Sequence, residues 1–464
     1  MSYRYQDLER WLLQGIEQQR WQPGERLPSI RELCRQKQLS KATVMHALQR
    51  LEALGLIAVR PKSGYFVLPP PAPVEAAATP PAIRPPRPVT VSDVLLDIMQ
   101  RSAAFDLLPM PDTDERPRAL VTLNRCIGRA LRRQKGSDHQ YYDEPAGSLA
   151  LREQLVVHAL KRGWHAAPER LCITSGCQHA LFLALMACCQ PGDVVAVESP
   201  GFYGVLQLLQ QLGLKGVEVP AAGQGMDMDA LDAVLQRWPV KACIVSPAFA
   251  TPGGALMPIE ARKRLMALAD RHDLALIEDD IYADTAFMEI PDPLKALDTE
   301  NRVILCSSFS KSLSRDLRLG WVSGARWHDR ILQLKLVTQL ASSRYLQQGV
   351  ADFMADGSYA GHLRSQRTRL RQQRDQLLQV LNAWPVECQI SRPEGGLAVW
   401  LELPLQIDTL ALYHRAREQG VIITPGPLFS MTGQYRHCLR MSFAHPWNER
   451  RLQALQQLGV LLAP

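Results

Sequence analysis

The sequence predicts two units of different class: a small winged helix-turn-helix module, then a large α/β body built on a mostly parallel sheet. Three observations predict it. Residues 69–88, PPPAPVEAAATPPAIRPPRP, hold nine prolines in twenty positions, which excludes helix and central strand there. Charge divides at the same place: residues 1–68 carry 11 Lys and Arg against 6 Asp and Glu, so +5 of the net +7 sits in the first 68 of 464 residues. After the proline segment, short apolar runs alternate with helical ones, the pattern of a parallel sheet covered by helices. The expected division is 1–68 for the module, 69–90 for an extended proline-rich spacer and 91–464 for the body.

Bulk composition narrows the classes. Hydrophobic residues make up 46% and charged residues 21%, a globular balance. No apolar run reaches the ~18 residues of a membrane span. The start, MSYRYQDLER, lacks the apolar core of a signal peptide, so a cytoplasmic chain is expected. Ten cysteines include no C-x-x-C pair, which points to reduced core thiols and no metal site. A basic module on a near-neutral body points to a polyanion partner for the module alone.

Within the module, Tyr5 to Gln18 reads as an amphipathic helix with Leu8, Leu12 and Ile16 inward. Ser29-Ile30-Arg31-Glu32 is a capping box that starts a second helix. Ser40 caps a third, Lys41 to Leu54, with Val44, Leu48, Leu51 and Leu54 inside and Lys41, Thr43, His46 and Gln49 outside. LIAVR and YFVL flank Pro61-Lys62-Ser63-Gly64 as a hairpin. This order predicts that the N-terminal end of the third helix enters a DNA major groove while basic groups meet phosphates. The stretch LPSIREL…LSKATVMHALQRLEALGLIAVRPKSGYFV resembles the GntR regulator family. The resemblance implies that Arg31, Lys41, Thr43, Lys62 and Gly64 face DNA.

In the body, VVAVE (194–198), ACIVS (242–246), LALIEDD (274–280) and VILCSS (303–308) read as buried strands, and 180–189 and 261–273 as helices. Ligands in such folds sit at the carboxyl ends of the strands. Chemistry-bearing residues fall there. In Ser307-Ser308-Phe309-Ser310-Lys311, followed by Arg318, a serine and an arginine flank a lysine, so one phosphate and one Schiff base fit together. Ser175-Gly176-Cys177-Gln178 opens a helix whose N–H groups point at an anion. Phe202 offers its face to a pyridine ring. Asp279 ends a buried strand, where a carboxylate holds a pyridine nitrogen protonated, and Tyr282 hydrogen-bonds the ring oxygen.

These motifs, in this order, resemble the fold-type I aminotransferases, whose cofactor is pyridoxal 5′-phosphate (PLP). The resemblance implies that Tyr142 reaches the cofactor phosphate of a partner subunit. It places PEGGLAVWL (393–401) and TPGPLF (424–429) beside the substrate, and gives Arg440 the α-carboxylate. A GntR module joined by a long linker to this fold resembles the MocR subfamily, which implies a homodimer, head-to-tail. The expected function is a PLP-dependent regulator that binds double-stranded operator DNA and senses PLP or an amino compound condensing with it. The alternative is an active aminotransferase acting on an amino acid. The chain departs from the pattern in four places: Thr251 stands where an asparagine contacts the ring oxygen, Phe202 where tyrosine is frequent, the pair Arg315-Asp316 where Pro-Gly is usual, and Tyr282 one residue late. These departures weigh against transamination more than against cofactor binding.

Overall fold

The computed structural model describes residues 4–18, 20–53, 56–60, 64–68, 83–89, 93–100, 106–108 and 117–462. The chain divides into two compact units, Met1–Pro81 and Ala82–Pro464.

The first unit is a winged helix-turn-helix, with helices α1 (Arg4–Glu17), α2 (Ile30–Lys37) and α3 (Lys41–Ala53) followed by strands β1 (Ile57–Arg60) and β2 (Gly64–Val67). Local chemistry sets the helix starts. Ser29 Oγ accepts from the Glu32 N–H at 3.3 Å, and Glu32 Oε2 accepts from the Ser29 N–H at 2.7 Å. Ser40 Oγ accepts from the Thr43 N–H at 3.2 Å and so caps α3. Helical spacing then collects Leu8, Leu12, Leu33, Val44, Leu48 and Leu51 into one core with Ile57 and Val67 of the hairpin. Each such side chain contributes roughly 1.5–3 kcal/mol when fully buried. The strands pair antiparallel from Ile57↔Val67 to Arg60↔Gly64. Gly64 turns the chain at φ +108°, a conformation that favours glycine. Leu54 and the wing-tip Lys62 lie outside the described residues.

The second unit carries the mostly parallel sheet the sequence predicts. Its strands are β3 (Arg87–Pro88), β4 (Leu171–Thr174), β5 (Val194–Ser199), β6 (Lys215–Ala222), β7 (Val240–Val245), β8 (Ala275–Asp279), β9 (Val303–Ser308) and β10 (Gly320–Ser323). Their spatial order is β3-β6-β5-β7-β8-β9-β10-β4. Strands β6, β5, β7, β8 and β9 run parallel, and β10 is antiparallel to both β9 and β4. Alternate residues of β5 serve opposite faces. Val195 and Val197 pack with Leu181 and Leu185 of the helix Cys177–Cys188, while Val194 and Ala196 pack with Leu231 and Leu265. Burial on both faces explains why these strands read as unbroken apolar runs.

The spacer expected over 69–90 gives way to body structure before its end. Arg87–Pro88 pairs with Lys215–Gly216 at the sheet edge, and Val89 is buried. Proline is accepted on an edge strand because no partner there needs its missing N–H. Residues 69–82 lie outside the described residues. A second, antiparallel sheet, in the spatial order Gln389–Ile390, Ala398–Glu402, Cys438–Ser442, Thr424–Pro425, is packed into the core that also holds Tyr203, Tyr282 and Phe287. No described helix is long and apolar enough to cross a membrane.

Candidate functional site

The carboxyl ends of β4, β5 and β8 and the loop after β9 come together around one cavity of about 190 Å³. Cys177, Phe202, Asp279 and Tyr282 line it from the strand ends, and Ser310, Lys311 and Arg318 from the loop. Residues spread over more than 140 positions thus share one space, because parallel strands deliver their carboxyl ends to one edge.

Three consecutive acids end β8, and packing divides them. The Glu278 carboxylate accepts from the N–H groups of Leu294 and Lys295 at 2.7 and 2.9 Å. Asp280 is held bidentately by Arg162, at 2.5 and 2.8 Å. Asp279, buried like the others, faces the cavity. Burial pushes its carboxyl up to about 6, with Asp280 adding. The Cys177 thiol donating at 3.3 Å, the Ile281 N–H and the nearby Lys311 pull the other way.

Lys311 stands across this space. Burial, then the charges of Arg315 and Arg440, hold its amine well below the usual lysine range, while Asp279 opposes them. A neutral amine is the form that attacks a carbonyl. Tyr282 is buried, which raises its phenol above the usual tyrosine range, and Thr251 is its hydrogen-bond partner. Thr251 therefore touches the site through Tyr282 and does not line the cavity.

At the other end, Gly176 adopts φ +89°, and a Cβ there would lie 2.9 Å from Arg318 Nη2. The positive φ favours glycine there, and a side chain would press on the Arg318 guanidinium. Arg318 itself has φ +48° and donates from Nη2 to the Ser175 carbonyl at 2.9 Å. Strain of this kind, about 1–3 kcal/mol, collects at ligand sites. Ser175 is engaged within the protein: its N–H donates to His179 Nδ1 at 3.2 Å, and its Oγ accepts from Gln339 Nε2 at 2.5 Å. Ser308 is buried behind Ser310 and donates to its hydroxyl at 2.9 Å.

Arg440 lies buried on the strand Cys438–Ser442. Its Nη2 donates to Thr424 Oγ1 at 3.3 Å, and its guanidinium sits 5.3 and 5.7 Å from the ring centres of Phe429 and Tyr203. Tyr142 is not brought to the cavity of its own chain. Its side chain is 78% exposed, and its carbonyl accepts from Arg344 Nη2 at 3.4 Å. In the module, Arg31, Lys41 and His46 are exposed, whereas the Thr43 hydroxyl shares a 2.8 Å hydrogen bond with Ser40. Sequence reasoning passed over two participants. Gln339 holds Ser175 from 164 positions away, and no local pattern announces it. Arg315 lines the cavity, and its only signal is that it interrupts a family motif four residues after Lys311.

Comparisons with known proteins agree with both units. Residues 4–67 match the model of the gntR family of bacterial regulatory proteins, and residues 114–458 match that of aminotransferase class I and II. An uncharacterized HTH-type transcriptional regulator of Escherichia coli strain K12, YjiR, is 37% identical over 98% of this chain and 98% of its own. The chain belongs to the MocR subfamily of GntR-type regulators. A second E. coli K12 regulator, the uncharacterized YdcR, is 34% identical to this MocR chain over 99% of each. Among solved structures, LysN, an α-aminoadipate aminotransferase of Thermus thermophilus complexed with N-(5′-phosphopyridoxyl)-L-leucine, superposes with a TM-score of 0.72. It is 28% identical, covering 80% of the MocR chain and 94% of LysN.

Proposed function

We propose that this chain is a PLP-dependent transcription regulator. Its module binds double-stranded operator DNA, and its body holds PLP and reads PLP itself or an amino compound that condenses with it. The observation that carries the reading is the cavity in which Lys311, Asp279, Phe202 and Arg318 converge, in a chain that also carries a GntR module. DNA binding makes the cytoplasm its place of action.

The residues present fit the cofactor. Gly176 lets the Arg318 guanidinium lie close against the backbone, and that guanidinium suits a phosphate. The N–H groups opening the helix at Cys177 and the hydroxyls of Ser308 and Ser310 stand near it, with Ser175 positioning Arg318 through its carbonyl. Asp279 suits a protonated ring nitrogen, Phe202 a ring face, and Tyr282 with Thr251 a ring oxygen. When bound, PLP supplies an aldehyde that condenses with a primary amine and a ring that draws electrons. Lys311 offers the amine, whose proton burial makes easier to lose, and Arg440 offers a fork for an effector carboxylate. Tyr142 lies exposed and away from its own cavity, which suits a homodimer in which it serves the partner. Two copies present two modules, each reading through Arg31, Lys41, Thr43, His46, Lys62 and Gly64, to a two-fold operator.

The aminotransferase reading has less behind it, since Thr251 stands where that family carries asparagine. The deciding experiment titrates PLP, then candidate amines, with and without operator DNA. Linkage makes the effect reciprocal, and the expected coupling is about 1–3 kcal/mol. Equal affinities in both titrations, together with sustained amino transfer between an amino acid and a 2-oxo acid, would move the enzyme reading ahead.

A further inference from the structure

We propose that Tyr359, His362 and Gln366, on one face of the helix Ser358–Leu381, are positioning residues that hold Lys311 where its amine meets the cofactor aldehyde. The inference rests on the reading above, that the body holds PLP at Lys311.

The argument is one of distance. The three residues stand three and four positions apart, which puts them on one side of their helix. From that side they meet the chain at Lys311 and Ser312. Gln366 Nε2 donates to the Lys311 carbonyl at 3.2 Å, and His362 Nε2 donates to the Ser312 carbonyl at 2.7 Å. The hydroxyls of Ser312 and Tyr359 lie 2.9 Å apart. Tyr359 gives its one proton to Asp284 Oδ2 at 2.6 Å, so Ser312 is the donor of that pair. The other Asp284 oxygen pairs with His158 Nε2 at 2.9 Å.

Burial opposes a charge on Asp284, but His158 and Arg162 outweigh it and hold the carboxyl below the usual carboxylate range. Tyr359 therefore meets an ionised acceptor, the stronger kind. Its ring also stands edge-on to Phe309, with centres 5.6 Å apart, so the loop is gripped on both sides of Lys311. Ser312, Tyr359 and Asp284 are buried, and a satisfied buried network keeps its geometry. None of Tyr359, His362 and Gln366 lines the cavity, so they act through the chain at Lys311 and Ser312. The lysine stem is flexible, and fixing its base lowers the ordering cost when its nitrogen is committed. Condensation joins that nitrogen to the aldehyde carbon and releases the aldehyde oxygen as water. Pyridoxamine 5′-phosphate has the same ring and phosphate but an amine in place of the aldehyde, so it fills the cavity without the lysine anchor.

The test is to titrate the full-length, cofactor-free protein with PLP and, in parallel, with pyridoxamine 5′-phosphate. Tyr359→Phe keeps the ring and removes the hydroxyl. It is expected to weaken PLP binding about fivefold or more, the scale of one lost hydrogen bond, and to leave pyridoxamine 5′-phosphate within about twofold. Ser312→Ala is expected to do the same, and the double variant to lose little beyond either alone, since both cut one bond. His362→Leu, at a half-buried position, should repeat the effect, and His362→Gln, which keeps a donor, should restore part of it. PLP affinity undisturbed in Tyr359→Phe, Ser312→Ala and His362→Leu overturns this inference alone. An equal loss for both ligands does so too, since it would mean that these residues shape the cavity at large. Binding of neither ligand to the unaltered protein overturns the PLP reading, and this inference with it.

Discussion

Two surfaces of this chain are built to meet phosphate, and they do so by opposite physics. On the module, Arg31, Lys41 and His46 stand exposed along α2 and α3. Exposed cations attract a polyanion over a distance, are screened by salt, and cost the fold little. In the body, Lys311 and Asp279 line a cavity where burial shifts the lysine down and the aspartate up to about 6. Enclosed groups discriminate between ligands, and the fold bears their desolvation. The module is thus suited to finding DNA, and the cavity to identifying a small molecule.

The sharpest contrast comes from the covalent anchor. Lys311→Ala is expected to abolish the visible absorbance of the PLP-loaded protein while far-ultraviolet circular dichroism stays unchanged. A band that persists would place the anchor elsewhere.

Asp279 tests whether the cavity trades stability for binding. Its carboxyl holds a proton more tightly folded than unfolded, because burial raises it to about 6. Its contribution to stability is full below the ordinary carboxylate value near pH 4 and is lost as pH rises through 6. At pH 7 the ionised group costs the cofactor-free protein on the order of 1–3 kcal/mol. Asp279→Asn should therefore raise the Tm of the cofactor-free protein at pH 7 and leave it nearly unaltered at pH 4. The same variant should weaken PLP binding at least tenfold. In the unaltered protein, PLP affinity should decline as pH falls below about 6, where the carboxylate is neutralised. A variant no more stable at pH 7 would mean that ionised Asp279 is fully compensated within the protein.

Salt separates the two surfaces directly. Operator affinity should fall steeply between 50 and 200 mM salt, roughly 10³-fold or more for a module pair making 6 or more phosphate contacts. Arg31→Ala and Lys41→Ala should each reduce that slope by about 1. PLP affinity should change far less over the same range. Equal salt dependence in both titrations would break the contrast.

The smallest effect belongs to the scaffold of the module. Ser29→Ala removes an acceptor from the start of α2 and should lower stability by about 1 kcal/mol. Chemical denaturation followed through the module's Trp11 or Trp21 reads it. No change would mean that Glu32 alone caps the helix.

Elements and their order were legible in the sequence because their causes are local. Ser29 and Glu32 are three residues apart, Val44, Leu48 and Leu51 repeat at helical spacing, and the unbroken run at 194–198 belongs to a strand covered on both faces. The residues of the cavity were legible because a short motif places each at a strand end. That the proline-rich segment joins the body by residue 87 was not legible, since only the exposed edge of β6 makes a place for it.

The sequence by itself thus determined two units, a parallel sheet and the identities of Lys311, Asp279 and Arg318. Tertiary structure alone decided how side chains were assigned. It turned Asp279 to the cavity while Arg162 took Asp280 and two N–H groups took Glu278. It set Thr251 behind Tyr282, fixed Ser175 with Gln339, and brought Arg315 into the lining of the cavity. The physical reason is common to all of these. A local pattern fixes where a residue lies along its element, but the direction its side chain takes and the charge it carries depend on partners that packing brings from far along the chain.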